Sequence, residues 1–120
     1  SMLLLSAPLA VHAHHSVAVH FSEETIAYSG TITELKWVNP HSSLLLLVTN
    51  EDGTNDEYRV ELLSRIALER GGFNFDFLKN GMVVNLTGRV GVRNRGHLFF
   101  RRAVLEDGRI VTARSPLQVR

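Results

Sequence analysis

From Ile26 to Val38 the chain reads as extended throughout, and its apolar residues change parity partway along. Ile26, Tyr28 and Ile32 share one parity; Leu35 and Trp37 share the other. Successive side chains of a strand point to opposite faces, so such a switch requires a bulge or a sharp bend. Gly30 is one place where a bend is tolerated. The run is too long for one flat strand. It suits a small closed barrel, in which one long, bent strand serves two sides.

The segments that follow agree with that constraint. Ser43 to Thr49 holds five consecutive apolar residues; its length and flanking turn residues favour a strand buried on both faces. The polar stretch 50–55 reads as a hairpin loop, and Tyr58, Val60 and Leu62 alternate in the next strand. Ser64 is placed to cap a short helix, Arg65 to Arg70, which Gly71-Gly72 ends. Phe73, Phe75, Phe77 and Leu78 dock an irregular segment, and Lys79-Asn80-Gly81 turns the chain. Met82, Val84, Leu86, Val90 and Val92 alternate with Asn85, Thr87 and Arg89. Arg93-Asn94-Arg95-Gly96 is another turn. His97 to Leu105 is a strand whose alternation Phe99-Phe100 blurs, and Asp107-Gly108 signals a hairpin from which 109–113 returns. Three strands, a short helix and two strands predict an all-β fold, a small OB-like five-stranded barrel with one short helix between strands 3 and 4.

At the amino end, Leu3 to Val11 followed by Val11-His12-Ala13 has the apolar core and small-residue cleavage pattern of a secretory signal, without the charged start. Residues 1–13 are therefore read as a signal-peptide remnant, too short to span a bilayer. Residues 14–113 form the single barrel domain and 114–120 a loose tail. Val17, Val19 and Phe21 alternate like a short strand before the polar Ser22-Glu23-Glu24.

A chain of 120 residues with 44% hydrophobic and 21% charged side chains can bury a core without staples. It has no cysteine, which excludes disulfides, thiolate metal sites and a cysteine nucleophile. Charge is distributed unevenly. Residues 1–84 set five basic side chains (Lys36, Arg59, Arg65, Arg70, Lys79) against ten acidic ones, whereas residues 85–120 set eight arginines against Glu106 and Asp107. The last third can offer a basic face to an anionic ligand.

The stretch Trp37-Val38-Asn39-Pro40-His41 packs an aromatic, an amide, a proline and an imidazole into one turn. Pro40 fixes its own φ and biases Asn39 toward extended geometry. In an OB-type barrel the loop between strands 1 and 2 and the loop between strands 4 and 5 flank one binding face. Here His41 follows the first loop and His97 the second, so two imidazoles distant in sequence are expected at one barrel mouth. His14, His15 and His20 can run along the same rim.

Taken together, His14-His15-Ser16, Trp37-x-Asn39-Pro40-His41, a short helix ending in glycine, Leu78-Lys79-x-Gly81 and Asp107-Gly108-Arg109 resemble a family of small exported bacterial proteins of unknown function. The resemblance runs from His14 to about Ile110. Ser22 stands where that family usually has an acidic residue, and Gly72 or Phe73 where it has a tryptophan. The resemblance implies a periplasmic or secreted protein and no established activity.

The leading expectation is an exported binding module for a metal ion, copper ahead of zinc, through His14, His15, His41 and His97. Imidazole suits both ions, and six histidines stand against two lysines, although no His-Glu-x-x-His spacing occurs. The alternative is non-catalytic binding of an anionic or saccharide ligand, with Trp37, Asn39, Arg93 and Arg95 as contacts and Arg101, Arg102 and Phe99 nearby. An enzyme is not expected. His41 with Glu34 or Asp56 would be a general base and its orienter, but no nucleophile motif or phosphate loop accompanies them. Nucleic acid and a membrane span are not expected as partners, while a second copy of the chain is admitted.

Overall fold

The computed structural model describes Val17 and residues 19–113. The signal-like segment, His14, His15 and the tail from 114 lie outside the described residues. From Phe21 on, the described residues form β1 (Phe21–Lys36), β2 (Ser43–Thr49), β3 (Asn55–Glu61), α1 (Arg65–Arg70), a 3-10 turn (Phe75–Phe77), β4 (Val83–Gly91), β5 (His97–Leu105) and β6 (Ile110–Thr112). The protein is all-β, and a short helix lies between β3 and β4. Among the described residues no helix is long and apolar enough to cross a membrane.

β1 sets the topology. Its first part pairs antiparallel with β4, from Phe21 opposite Gly91 to Thr31 opposite Val83. Its last part pairs antiparallel with β2, from Thr31 opposite Leu47 to Lys36 opposite Ser43. Thr31 is shared by both partners, and the register shifts between Ile32 and Glu34. That bulge turns the strand over, as the parity change requires, but it lies at Thr33 and not at Gly30. Gly30 answers a different demand. A Cβ there would stand 2.6 Å from the Leu47 carbonyl oxygen and 3.0 Å from Leu46 Cγ, so glycine is what lets β2 approach β1 this closely.

The remaining pairings join β2 to β3, β4 to β5 and β5 to β6, all antiparallel. β3 also meets β5 in parallel over Arg59–Glu61 and His97–Phe99. The pairings β1–β2–β3–β5–β4–β1 therefore return to their start. The sixth strand, beyond the five expected, is β6 laid on the outside of β5 after the Asp107-Gly108 turn. Gly108 there has φ of 88°, a backbone state that favours glycine.

The inward faces carry the core: Ile32, Leu44, Leu46, Val48, Val60, Leu62, Val84, Leu86, Val90, Leu98, Phe100, Ala103 and Leu105 are buried. Leu68 from α1, with Phe73 and Leu78 after it, closes the core from the side. Each such aliphatic side chain contributes about 1.5–3 kcal/mol of burial. β2 is buried on one face only, since Leu45 and Leu47 remain half-exposed. Its run of five apolar residues reflects an outer face that is itself partly covered. In β5, the blurred alternation has a local cause. Thr87 is opposite Arg102 and Gly88 opposite Phe100, so Arg101 is an extra residue in the ladder and both arginines point outward.

The expected strand at 16–21 is not formed as such. Val17, Val19 and His20 are helical, and the strand begins at Phe21. Phe21 is 2% exposed and Val19 64%. Helical and extended spacing both place Val17 and Phe21 on one side, so the sequence pattern turns on Val19, which faces outward as a helix has it.

Gly30→Ala is expected to lower stability by about 1–3 kcal/mol, because the new methyl meets backbone of β2. Urea unfolding of the variant beside the wild type measures it; an unchanged midpoint would mean that β2 can give way at no cost.

Candidate functional site

The loop from Trp37 to Ser42 is fastened to α1 by the residues of its own motif. Val38 accepts a hydrogen bond through its carbonyl from Arg65 N–H at 3.1 Å. Asn39 Oδ1 accepts from Ile66 N–H at 3.1 Å, and Ser64 Oγ accepts from Ala67 N–H at 3.1 Å. The first three amides of the helix, which have no partner within it, are thus satisfied in turn. Ser42, fully buried, accepts from Val38 N–H and donates to the Val38 carbonyl, both at 3.2 Å. The Trp37 ring packs on Phe73 and Phe75, with centroids 5.3 and 5.0 Å away. The Asn39–Pro40 peptide is cis.

With Trp37, Asn39 and Ser42 so engaged, His41 is left exposed at the end of the loop. It lines a cavity of about 340 Å³ together with His20, Phe21, Glu61, Gly91, Arg93, Asn94 and His97. These residues come from the start of β1, the β1–β2 loop, the end of β3 and the β4–β5 turn. His41 and His97 therefore share one cavity, and His20 adds a third imidazole. Among the described residues, no group of three histidine, cysteine, aspartate or glutamate side chains is close enough to hold a metal ion.

Two backbone devices hold this region. The register of β1 on β4 shifts between Phe21 and Thr25, and a side chain of β4 reaches the β1 carbonyls there. Arg89 donates to them, Nε to the Ser22 carbonyl at 2.8 Å and Nη2 to the Phe21 carbonyl at 3.2 Å. Gly91 is required by crowding: a Cβ there would lie 2.5 Å from the Asn94 carbonyl oxygen and 2.9 Å from that of His97. The turn folds back over Gly91 and so brings Asn94 and His97 to the cavity.

Of the three imidazoles, His97 sits most deeply. Its ring meets Phe21 edge-on at 5.0 Å, and its Nε2 is buried with no hydrogen-bond partner. Burial is the main cause holding its pKa below the ordinary 6.5; Glu61 opposes that shift, while Arg59 and His20 add to it. The neutral ring, with one nitrogen free of partners, is the form that ligates metals.

The other residues singled out from the sequence are distributed differently. Arg93 is in the cavity wall. Arg95 instead makes a paired contact with Glu24, 2.7 and 3.3 Å, which holds Glu24 below and Arg95 above its usual pKa. Trp37 and Asn39 face α1 and its neighbours and do not line the cavity. Glu34 pairs with Lys36 at 3.2 Å, and Asp56 accepts from Asn50 at 3.0 Å, so neither is among the residues around His41. The residue that sequence reasoning missed is Glu61. No local signal marks it; only the β3–β5 pairing, which sets Glu61 opposite Phe99, carries it to the cavity.

An all-β protein with a histidine-lined cavity between two loops is the class that fold and site define. A family of unknown function, DUF6152, matches residues 3–97, and the chain belongs to that family. No curated protein matches the chain.

Two measurements check these roles. Asn39→Ala is expected to destabilise the fold by about 1 kcal/mol, the usual loss of one satisfied helix-end amide, read by thermal or urea unfolding. For His97, the unfolded chain binds more protons than the folded one between the lowered folded pKa and about 6.5. Stability should therefore fall as pH drops through that window, with the contribution fully present above it. Urea unfolding at about pH 7.5 and about pH 5 should show a smaller loss in His97→Gln than in wild type; equal losses would assign the pH dependence elsewhere.

Proposed function

We propose that the closed ring of strand pairings is an OB-like barrel of an exported protein working in the periplasm or outside the cell, and that the barrel mouth binds a divalent metal ion, copper ahead of zinc. The observation that carries the reading is the cavity common to His20, His41 and His97; the Nε2 of His97 is buried without a hydrogen-bond partner. Imidazole nitrogen is a ligand for both ions, and copper binds such sites more tightly than zinc. The described residues supply part of a ligand set, and the reading takes the rest from His14 and His15. Export is supported by the signal-like pattern of Leu3 to Ala13. The site is read as a binding site and not a catalytic one, since the carboxylates first paired with His41 have other partners.

A second reading has one observation in its favour. Arg93 lines the same cavity without an ion-pair partner among the described residues, so a small anion alone is a candidate ligand. The wider arginine and aromatic platform is less well supported, with Trp37 turned to Phe73 and Arg95 held by Glu24.

Copper(II) and zinc(II) titrated by calorimetry into the full chain, and into a form beginning at His14, test the metal reading. His41→Ala and His97→Ala are each expected to weaken binding by roughly tenfold or more. Binding that neither substitution alters would remove the reading. Salt-sensitive retention on heparin, lost in Arg93→Gln, would favour the anion instead.

A further inference from the structure

The chain has two tyrosines, and they are stacked on each other. Tyr28 and Tyr58 have ring centroids 4.3 Å apart and ring planes 23° from parallel. Tyr28 belongs to β1 and is paired with Leu86; Tyr58 belongs to β3 and is paired with Leu46. β2 separates these strands in the sheet, so the two side chains meet across the closed circuit of strands and not along one ladder. Both are half-buried and pack on the core. Tyr58 directly precedes Arg59, where the parallel pairing of β3 with β5 begins. The hydroxyls lie together as well: the neighbouring Tyr28 hydroxyl, ahead of burial, pushes the Tyr58 pKa up to about 12. The histidine-lined cavity is a separate place, and neither tyrosine lines it.

A phenol that gives up one electron and its hydroxyl proton becomes a phenoxyl radical, with part of its spin on the two Cε carbons beside the oxygen-bearing carbon. The π lobes of those carbons stand perpendicular to the ring. Stacking therefore aims the lobes of one ring at the other and holds the reacting atoms near contact before any radical forms. We propose that Tyr28 and Tyr58 form a cross-linking site, at which a one-electron oxidant joins them as dityrosine. Two electrons, one from each phenol, pass to the oxidant, and both hydroxyl protons go to water. A bond forms between a Cε of one ring and a Cε of the other. The hydrogens on those carbons then move to the oxygens, which restores both phenols, and the chain has lost two hydrogens in all. No cysteine is present, so no thiol intercepts the oxidant and no disulfide is open to the chain. The carbon–carbon bond supplies a staple instead. It ties β1 to β3 and restricts the unfolded chain between residues 28 and 58, as a disulfide would.

The full chain, illuminated with tris(bipyridine)ruthenium(II) and persulfate as the one-electron oxidant, tests this. The expected product is monomeric on a denaturing gel, lighter by two hydrogens in intact mass, and fluorescent as dityrosine is. Its tryptic digest should join the peptides that contain residues 28 and 58. Tyr28→Phe and Tyr58→Phe each keep a ring for packing, with circular dichroism as the check on folding, and each should abolish the monomeric product. The same oxidation in urea should lower the yield by roughly tenfold, since the fold is what holds the rings together. The cross-linked chain should melt roughly 5 °C or more above the untreated one. Dityrosine found only between chains, or oxidation that forms none, overturns the proposal. An equal yield in urea overturns the part played by the fold, and an unchanged melting temperature overturns the staple.

Discussion

The structure depends on one strand having two partners. β1 gives its backbone to β4 over its first part and to β2 over its last, with Thr31 common to both and the bulge at Thr33 between them. Without that turn the apolar side chains before and after it would face opposite sides of one flat sheet. With it, Ile32 is fully buried and Leu35 packs on the same core. Because β1 ends where the β1–β2 loop begins and starts where β4 ends, the same strand also carries Phe21 to the cavity and leads to His41. Fold and site therefore have a common origin.

Much of this was legible in the sequence, and for a physical reason. Period-two alternation is enforced by the peptide geometry itself, so Val84, Leu86 and Val90 announced β4, and the parity change of β1 announced a bulge. Ser64 and Gly71-Gly72 announced α1 because unsatisfied helix ends need specific chemistry. Illegible were effects that exist only once strands meet. The closeness of Leu47 to Gly30, the extra Arg101 between the Thr87 and Gly88 pairings, and the arrival of Glu61 beside His97 are properties of pairs distant in the chain. At Val17 and Phe21 the pattern satisfies helix and strand alike, so it does not distinguish them there.

The Trp-x-Asn-Pro-His motif divides its labour. Trp37 covers the aromatic cluster, Val38 and Asn39 satisfy helix amides, and only His41 is left for the cavity. Composition groups these residues as one candidate site, whereas hydrogen bonding separates a scaffold from what it presents. The same separation applies among the arginines. Arg89 is spent on the carbonyls of Phe21 and Ser22, Arg95 on Glu24, and Arg109 on Asp107 and the Phe77 ring. Arg93 stands apart from these three in lining the cavity without such a partner.

The ring of strands is joined at its narrowest by the parallel meeting of β3 and β5, three residues on each side. Glu61 comes from one lip of that seam and His97 from the other. Anything held between them acts as a clasp: it gains part of its affinity by keeping the lips together, and in return it resists their parting. Occupancy and closure then become two faces of a single equilibrium, so the seam is where this small protein would feel its ligand first.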